Sequence, residues 1–208
     1  MKSDQDYARD LYEIRSMMER SSKFLSLSGW AGIMAGIYAL AGAYLAVWVL
    51  DFHPDAIMYP GAGAAESASP MPYVVLLAFV ILALATGTAA FFSYRNAQSK
   101  GERAWNPTSR RLLANMAIPL VAGGVLLLAL LSSGLWGLLA PLSLLFYGLA
   151  LVSAAQFTFN EVRLLGIAQI VLGLAGVWFV EYGMLLWAVG FGLVHIAYGV
   201  YMKVRYGL

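Results

Sequence analysis

Three polar side chains lie within stretches of sequence that are otherwise apolar: Asn115, Gln169 and His195. A polar group of this kind is costly in lipid, so each raises the question of a functional role. Gln169 follows Arg163 by six residues, or about 9 Å of helix. His195 precedes Lys203 by eight residues, or about 12 Å. We therefore expect Gln169 and His195 to lie at a similar depth, facing each other across a tight helical hairpin.

Two interpretations of this pair are open. Histidine has an unperturbed pKa of about 6.5, so His195 oriented by Gln169 would be a proton-responsive or ligand-binding group. The alternative is an interhelical hydrogen bond that holds the last two helices together, worth about 0.6 kcal/mol on average in membrane proteins. The candidate intramembrane polar site comprises Gln169, His195, Tyr198 and Asn115.

The composition excludes a soluble domain and most enzyme classes. The chain has 208 residues, of which 61% are hydrophobic and 12% charged, whereas soluble domains are about 25% charged. It has no cysteine, which excludes disulfides and a cysteine nucleophile. No phosphate-binding loop or dinucleotide fingerprint occurs. We expect no catalytic residue, no metal and no cofactor; Asp51, His53 and Asp55 are interpreted as the start of a solvated loop.

Six apolar runs are each long enough to cross a bilayer, which takes about 20 residues. They lie at 26–50, 72–94, 112–131, 135–157, 164–180 and 183–202. The breaks at 132–134 and 181–183 are short and contain turn residues, so each predicts a tight hairpin. The fold class predicted is an all-α polytopic membrane bundle, residues 26–204, with an outer loop at 51–71 and a basic inner loop at 95–111.

The charges predict how the chain is oriented in the membrane. With six spans, all 13 lysines and arginines fall on one side, and the other side carries four acids and no base. Because short basic loops stay in the cytoplasm, both termini are expected inside. The bases are interleaved with acids and mark topology, so no nucleic-acid partner is expected.

The sequence also contains an internal repeat. RLLANMAIPLVAGG at 111–124 matches RLLGIAQIVLGLAG at 163–176 with a spacing of 52, and the Tyr-Gly pair at 147–148 recurs at 198–199. A fainter match joins GWAGIMAG at 29–36 to GIAQIVLG at 166–173. These matches predict three tandem helical hairpins that all enter from the same side.

Hairpins with this glycine pattern, whose second helix ends in Tyr-Gly, resemble the HdeD-like six-helix proteins of bacterial inner membranes. The resemblance covers residues 26–204 and implies a non-enzymatic bundle linked to acid resistance. It carries no catalytic residue across. The polar N-terminal segment and the long outer loop depart from the family pattern.

The segment 1–25 predicts an amphipathic cytoplasmic helix. Its apolar residues recur at i, i+4, i+7 and i+11, as one stripe: Tyr7, Leu11, Ile14 and Met18. Residues 1–23 contain five acids and five bases, whereas a helix that lies on anionic lipid favours bases. The stripe is therefore a candidate partner-binding face, with a lipid-surface helix as the alternative.

Together these features predict a non-enzymatic accessory, stress-related or sensory subunit that contacts the bilayer and a protein partner or a second copy. The alternative is a small transporter or proton-coupled permease that uses the buried His/Gln pair.

Overall fold

A computed structural model describes residues 27–53, 70–101 and 104–207. The regular secondary structure of these residues is helical, with no strand. Six helices are long and apolar enough to cross a membrane, which indicates a multi-pass membrane protein. They are α1 (Gly29–Val49), α2 (Met71–Ser99), α3 (Pro107–Ser132), α4 (Trp136–Phe157), α5 (Asn160–Trp178) and α6 (Val180–Tyr206).

Three of these helices change type along their length. The departures are a π turn at the end of α1 (Leu45–Val49), 3-10 turns at both ends of α4 (Trp136–Leu138 and Ala155–Phe157), and in α6 a 3-10 turn (Val180–Tyr182) and a π segment (Ala188–Val194). A π segment accommodates an extra residue per turn and is frequent at functional sites. The one in α6 ends immediately before His195.

Four of the six helices, α2, α3, α5 and α6, extend beyond the predicted apolar runs. α2 continues to Ser99 and α3 begins at Pro107, because polar residues at a helix end can leave the apolar layer while the backbone ladder continues. The start of α3 is fixed by a capping box: Asn106 Oδ1 accepts the Ser109 N–H at 2.8 Å, and Ser109 Oγ accepts the Asn106 N–H at 2.9 Å. Pro107 occupies the first position of α3, where proline is favourable because its missing N–H has no partner to lose.

One of the two predicted turns is displaced. α3 ends at Ser132 as expected, and Gly134 takes a positive φ of 73° in the turn that follows. The break between α5 and α6 lies at Phe179 (φ −118°, ψ 68°) and not at 181–183. The reason is that Glu181 and Tyr182 already belong to the 3-10 turn that opens α6.

Side-chain contacts at one end of the bundle join the ends of α2, α4 and α6 to the starts of α1, α3 and α5. The Asn96 amide near the end of α2 donates to the Leu27 carbonyl before α1 (3.3 Å), and the Tyr206 hydroxyl donates to Glu161 across α5 and α6 (2.7 Å). Leu112 of α3 packs with Ala154 of α4 at this same end. The basic residues that the structure describes also lie here: Arg95, Lys100, Arg110, Arg111, Arg163, Lys203 and Arg205.

The helices do not form a closed ring. α4 packs along α5 and α3, and α1 packs along α2 and α6, while α5 and α6 form the middle of the bundle. α2 and α3 hardly touch over the part of the chain described. The bundle therefore has two well-packed seams, α4 with α5 and α6 with α1, and one open seam between α2 and α3.

Glycines line both packed seams. A Cβ atom at Gly148 would lie 2.6 Å from the Gly166 carbonyl oxygen, and one at Gly199 would lie 2.5 Å from the Gly29 oxygen. These distances are too short for any side chain, so the backbones meet directly, as small residues permit between membrane helices. For these four glycines the contact is within the chain.

Candidate functional site

A polar cluster is buried where α4, α5 and α6 meet. Its side chains are Tyr147 from α4, Gln169 from α5 and His195 from α6. Gln169 and His195 both donate to the backbone carbonyl of Gly190, and the Tyr147 hydroxyl bonds to the His195 ring. Gln169 is 0% exposed and His195 is 4% exposed. The structure thus brings together Gln169 and His195, the pair whose depth and hairpin position predicted contact, and adds Tyr147 and Gly190.

Hydrogen bonding assigns the histidine tautomer. His195 Nδ1 lies 2.9 Å from the Gly190 oxygen, which can only accept, so Nδ1 carries the hydrogen. Nε2 is then the acceptor, and the Tyr147 hydroxyl donates to it at 3.1 Å. Both ring nitrogens are engaged, so the imidazole fits this site in its neutral Nδ1–H form.

The Gly190 carbonyl also accepts the Gln169 amide, at 2.8 Å. The Gln169 nitrogen and His195 Nδ1 are 3.3 Å apart, and both donate to this one oxygen. Gly190 belongs to the π segment of α6. The predicted direct Gln169 to His195 contact is therefore arranged through a shared backbone acceptor.

Position 190 must be glycine for this arrangement. A Cβ atom there would lie 2.6 Å from Gln169 Oε1 and 2.6 Å from Leu144 Cδ2. Leu144 itself is fully buried, so neither neighbour has free space to move into. The close approach of Gln169 to the α6 backbone thus depends on the missing side chain.

The second polar atom of the Gln169 side chain is not satisfied. Its Oε1 is buried and accepts no hydrogen bond within the part of the chain described. Leaving a buried acceptor unpaired costs about 1–3 kcal/mol. The amide orientation is nevertheless required, because turning it would direct Oε1 at the Gly190 oxygen and lose the donor there.

Aromatic rings enclose the histidine on the side of α6. Trp187, Phe191 and His195 follow at i, i+4 and i+8, with ring centroids 5.1 Å and 5.7 Å apart in sequence order. The Tyr147 ring is 5.0 Å from Phe191 and 5.5 Å from His195. Sequence reasoning identified Tyr147 only as a repeat marker and did not place it at the site. The aromatic spacing of Trp187 and Phe191 was the available signal for this enclosure.

The other predicted site residues lie apart from these hydrogen bonds. Tyr198, one turn beyond His195, packs with Leu151 and Leu165 in a neighbouring apolar cluster. The Asn115 amide donates to the Arg111 carbonyl on its own helix at 2.9 Å. The candidate partner-binding face of Tyr7, Leu11, Ile14 and Met18 lies outside the described residues.

The arrangement holds a neutral imidazole and offers little further chemistry. No group of three or more metal-ligating side chains occurs within residues 27–53, 70–101 and 104–207. At the far end of α1, His53 Nε2 and Asp51 Oδ1 form an exposed pair at 3.2 Å. Both ring nitrogens of His195 already have hydrogen-bond partners within the protein, Tyr147 at Nε2 and the Gly190 carbonyl at Nδ1.

No family model, curated protein or solved structure matches the chain. The resemblance to the HdeD-like proteins therefore depends on the glycine pattern in the sequence alone.

Proposed function

We propose that this chain is a non-enzymatic integral protein of a bacterial inner membrane. It acts as an accessory, stress-related or sensory subunit through protein contacts. The observation that carries the proposal is the closure of the site: His195 is 4% exposed and both its nitrogens are hydrogen-bonded. An intramembrane ionisable residue is by default a functional candidate, but here the hydrogen bond of the residue to Tyr147 joins α6 to α4.

The surroundings of His195 differ from those of a catalytic or transport residue, and this difference supports a non-enzymatic role. A general base or proton carrier needs a partner that it can reach, in substrate or in water. The ring of His195 is enclosed by Tyr147, Phe191 and the Gly190 carbonyl. Its hydrogen bonds hold α4 to α6, and the Gln169 bond holds α5 to the same carbonyl.

The architecture that we propose is three tandem hairpins of the HdeD-like kind. In support, two helix pairs repeat the same contact: Gly148 meets Gly166 as Gly199 meets Gly29. The sequence spacings of the repeat join these same residues.

Both termini are proposed to be cytoplasmic. The described basic residues gather at the end of the bundle where α1, α3 and α5 begin, and short basic loops stay inside. This orientation puts the segment 1–25 on the cytoplasmic side, where its stripe of Tyr7, Leu11, Ile14 and Met18 can contact a protein.

The experiment that tests the proposal targets that stripe. Charged substitutions at Leu11 and Ile14 are introduced into the full chain, and copurifying proteins are quantified from native membranes. The matched control is Glu13→Gln, which lies off the stripe. We expect one protein partner to be lost with Leu11→Asp and Ile14→Asp and kept with Glu13→Gln. An unchanged set of copurifying proteins in all three variants would contradict the proposal.

A second candidate function is a small transporter or proton-coupled permease. The observation that favours it is the unpartnered Gln169 Oε1 beside a π segment, because a buried free acceptor can receive a donor from a substrate or from water. His195→Phe distinguishes the two candidates. Loss of flux with an intact fold supports transport, and unchanged flux supports the accessory subunit.

A further inference from the structure

The open seam between α2 and α3 widens into a cavity at the end of the bundle away from the basic residues. The cavity has a volume of about 580 Å³, is open along one side, and is lined by Met71, Pro72 and Val75 of α2, Leu131 of α3 and Trp136 of α4. Ligand pockets commonly measure about 300–1,000 Å³. The site is separate from the His195 cluster.

The lining is apolar and its one polar group is turned away. The indole nitrogen of Trp136 donates to the Leu131 carbonyl at 3.2 Å. The apolar part of the Trp136 ring therefore lines the cavity. Behind the cavity, Ala46, Phe52 and Met71 form a buried cluster. A molecule in this space meets hydrocarbon and one aromatic face, and it gains nothing from polar groups of its own.

A charged pair adjoins the apolar cluster behind the cavity. Asp51 takes a positive φ of 52°, which turns the chain so that the Phe52 N–H bonds to the Ala46 carbonyl at 3.0 Å. Phe52 thereby packs into the cluster behind the cavity with 6% exposure. Its two neighbours, Asp51 and His53, are left at the surface as an exposed pair. A carboxylate here attracts a cationic group and repels an anionic one.

We propose that this cavity binds one acyl chain of an amine-bearing zwitterionic phospholipid, whose ammonium group lies near Asp51. The apolar lining selects the hydrocarbon chain, and the Asp51 carboxylate selects the headgroup against anionic lipids. The site differs from the general lipid contact of the helix surfaces because residues of three helices line it.

The proposal is tested with the full chain in phosphatidylglycerol vesicles that contain phosphatidylethanolamine brominated on its acyl chains, since bromine quenches a nearby tryptophan. Two variants are compared, one that keeps only Trp136 and one that keeps only Trp178, which is 84% exposed. The other tryptophans are replaced by phenylalanine. We take a preference of the cavity for the brominated lipid of about tenfold. When about a tenth of the total lipid is brominated, the brominated lipid then occupies about half of the cavities. Trp178 meets brominated lipid only at its bulk fraction, so Trp136 is quenched roughly fivefold more than Trp178.

Filling the cavity provides the control. Val75→Phe in the Trp136 variant is expected to reduce its quenching to the level of Trp178. Val80→Phe, at a 46% exposed position of the same helix, leaves it unchanged. If Val75→Phe does not fold, Leu131→Phe fills the cavity from α3. Equal quenching of Trp136 and Trp178, with no effect of a filling variant, would overturn the proposal.

Two further outcomes are decisive. Asp51→Asn keeps a side chain that tolerates the positive φ but removes the charge, and it is expected to abolish the preference for phosphatidylethanolamine over brominated phosphatidylglycerol. An unchanged preference would overturn the role of the headgroup. A Trp136 that is protected from all brominated lipids, in a protein that migrates as a dimer, would show that a helix of a second copy fills the seam.

Discussion

The packed seam between α4 and α5 and the open seam between α2 and α3 are built from related sequences. At the spacing of 52, Gly173 of α5 aligns with Val121 of α3. A Cβ atom at Gly173 would lie 2.7 Å from the Leu145 backbone nitrogen, whereas Val121 is 64% exposed. A valine side chain at this position leaves no room for the backbone contact that a glycine allows. Residue size at aligned positions therefore differs between the packed and the open seam.

The closed seam also carries the polar cluster. Position 169 of α5 is glutamine, and the aligned position in α3 is Ala117, which is exposed. The amide is buried beside this seam because the α5 and α6 backbones are close enough to supply the Gly190 carbonyl of α6 as its acceptor. Close packing and the buried polar group thus depend on each other.

The largest effect is expected from a methyl group in the packed seam. Gly148→Ala would place a Cβ atom 2.6 Å from the Gly166 oxygen, and the helices must separate, at a loss of about 2–3 kcal/mol in the free energy of unfolding. The matched control is Gly124→Ala in α3, which has nothing within 4 Å. It is expected to be neutral or stabilising by up to about 1 kcal/mol. Reversible unfolding in bicelles measures both, and equal losses would remove the distinction between the seams.

The next effect is expected at Gly190. Gly190→Ala would displace the Gln169 side chain and break its bond to the carbonyl, at a cost of about 1–3 kcal/mol. Combining it with Gln169→Ala removes one of the two side chains that the new methyl group would meet at 2.6 Å, so the double variant should lose less than the sum of the single losses. Additive losses in the same unfolding assay would mean that the two residues are not in contact.

A smaller effect is expected at the histidine. His195→Phe keeps the ring that stacks on Phe191 but leaves the Tyr147 hydroxyl without its acceptor, so we expect a loss of about 1–2 kcal/mol. His53→Gln is the control, because this residue lies in an exposed pair. A loss at His195 no greater than that at His53 would argue against a structural role of the cluster.

The smallest effect is expected from Tyr147→Phe, which removes one interhelical hydrogen bond and retains the ring. The average for such bonds in membrane proteins is about 0.6 kcal/mol. The unfolding free energy should fall by about that amount. A fall comparable to that of Gly148→Ala would mean that the hydrogen bonds and not the glycine contacts hold the seam.

Much of this architecture could be predicted because lipid imposes simple rules. Helix number follows from apolar length, and the depth of Gln169 and His195 follows from their distances to charged residues at one end of the bundle. The contact between these two residues required only antiparallel helices of known rise.

What the sequence did not reveal depends on local backbone geometry. The π segment of α6 has no distinctive residues, and it positions the Gly190 carbonyl as the common acceptor. Tyr147 reaches His195 because α4 packs closely on α5, which is a tertiary contact. The displaced turn at Phe179 likewise reflects the 3-10 turn that adjoins α6, and apolar length gives no indication of it.

His195 is buried and both of its ring nitrogens are bonded within the protein. Nitrogen NMR of the histidine-labelled protein in lipid tests this most directly, in the His53→Gln background so that one histidine remains. We expect a neutral ring that carries its hydrogen on Nδ1 and that exchanges slowly with bulk water. A ring with its hydrogen on Nε2, or one that exchanges rapidly with water from either side of the membrane, would contradict a structural role of His195 and favour a transport pathway.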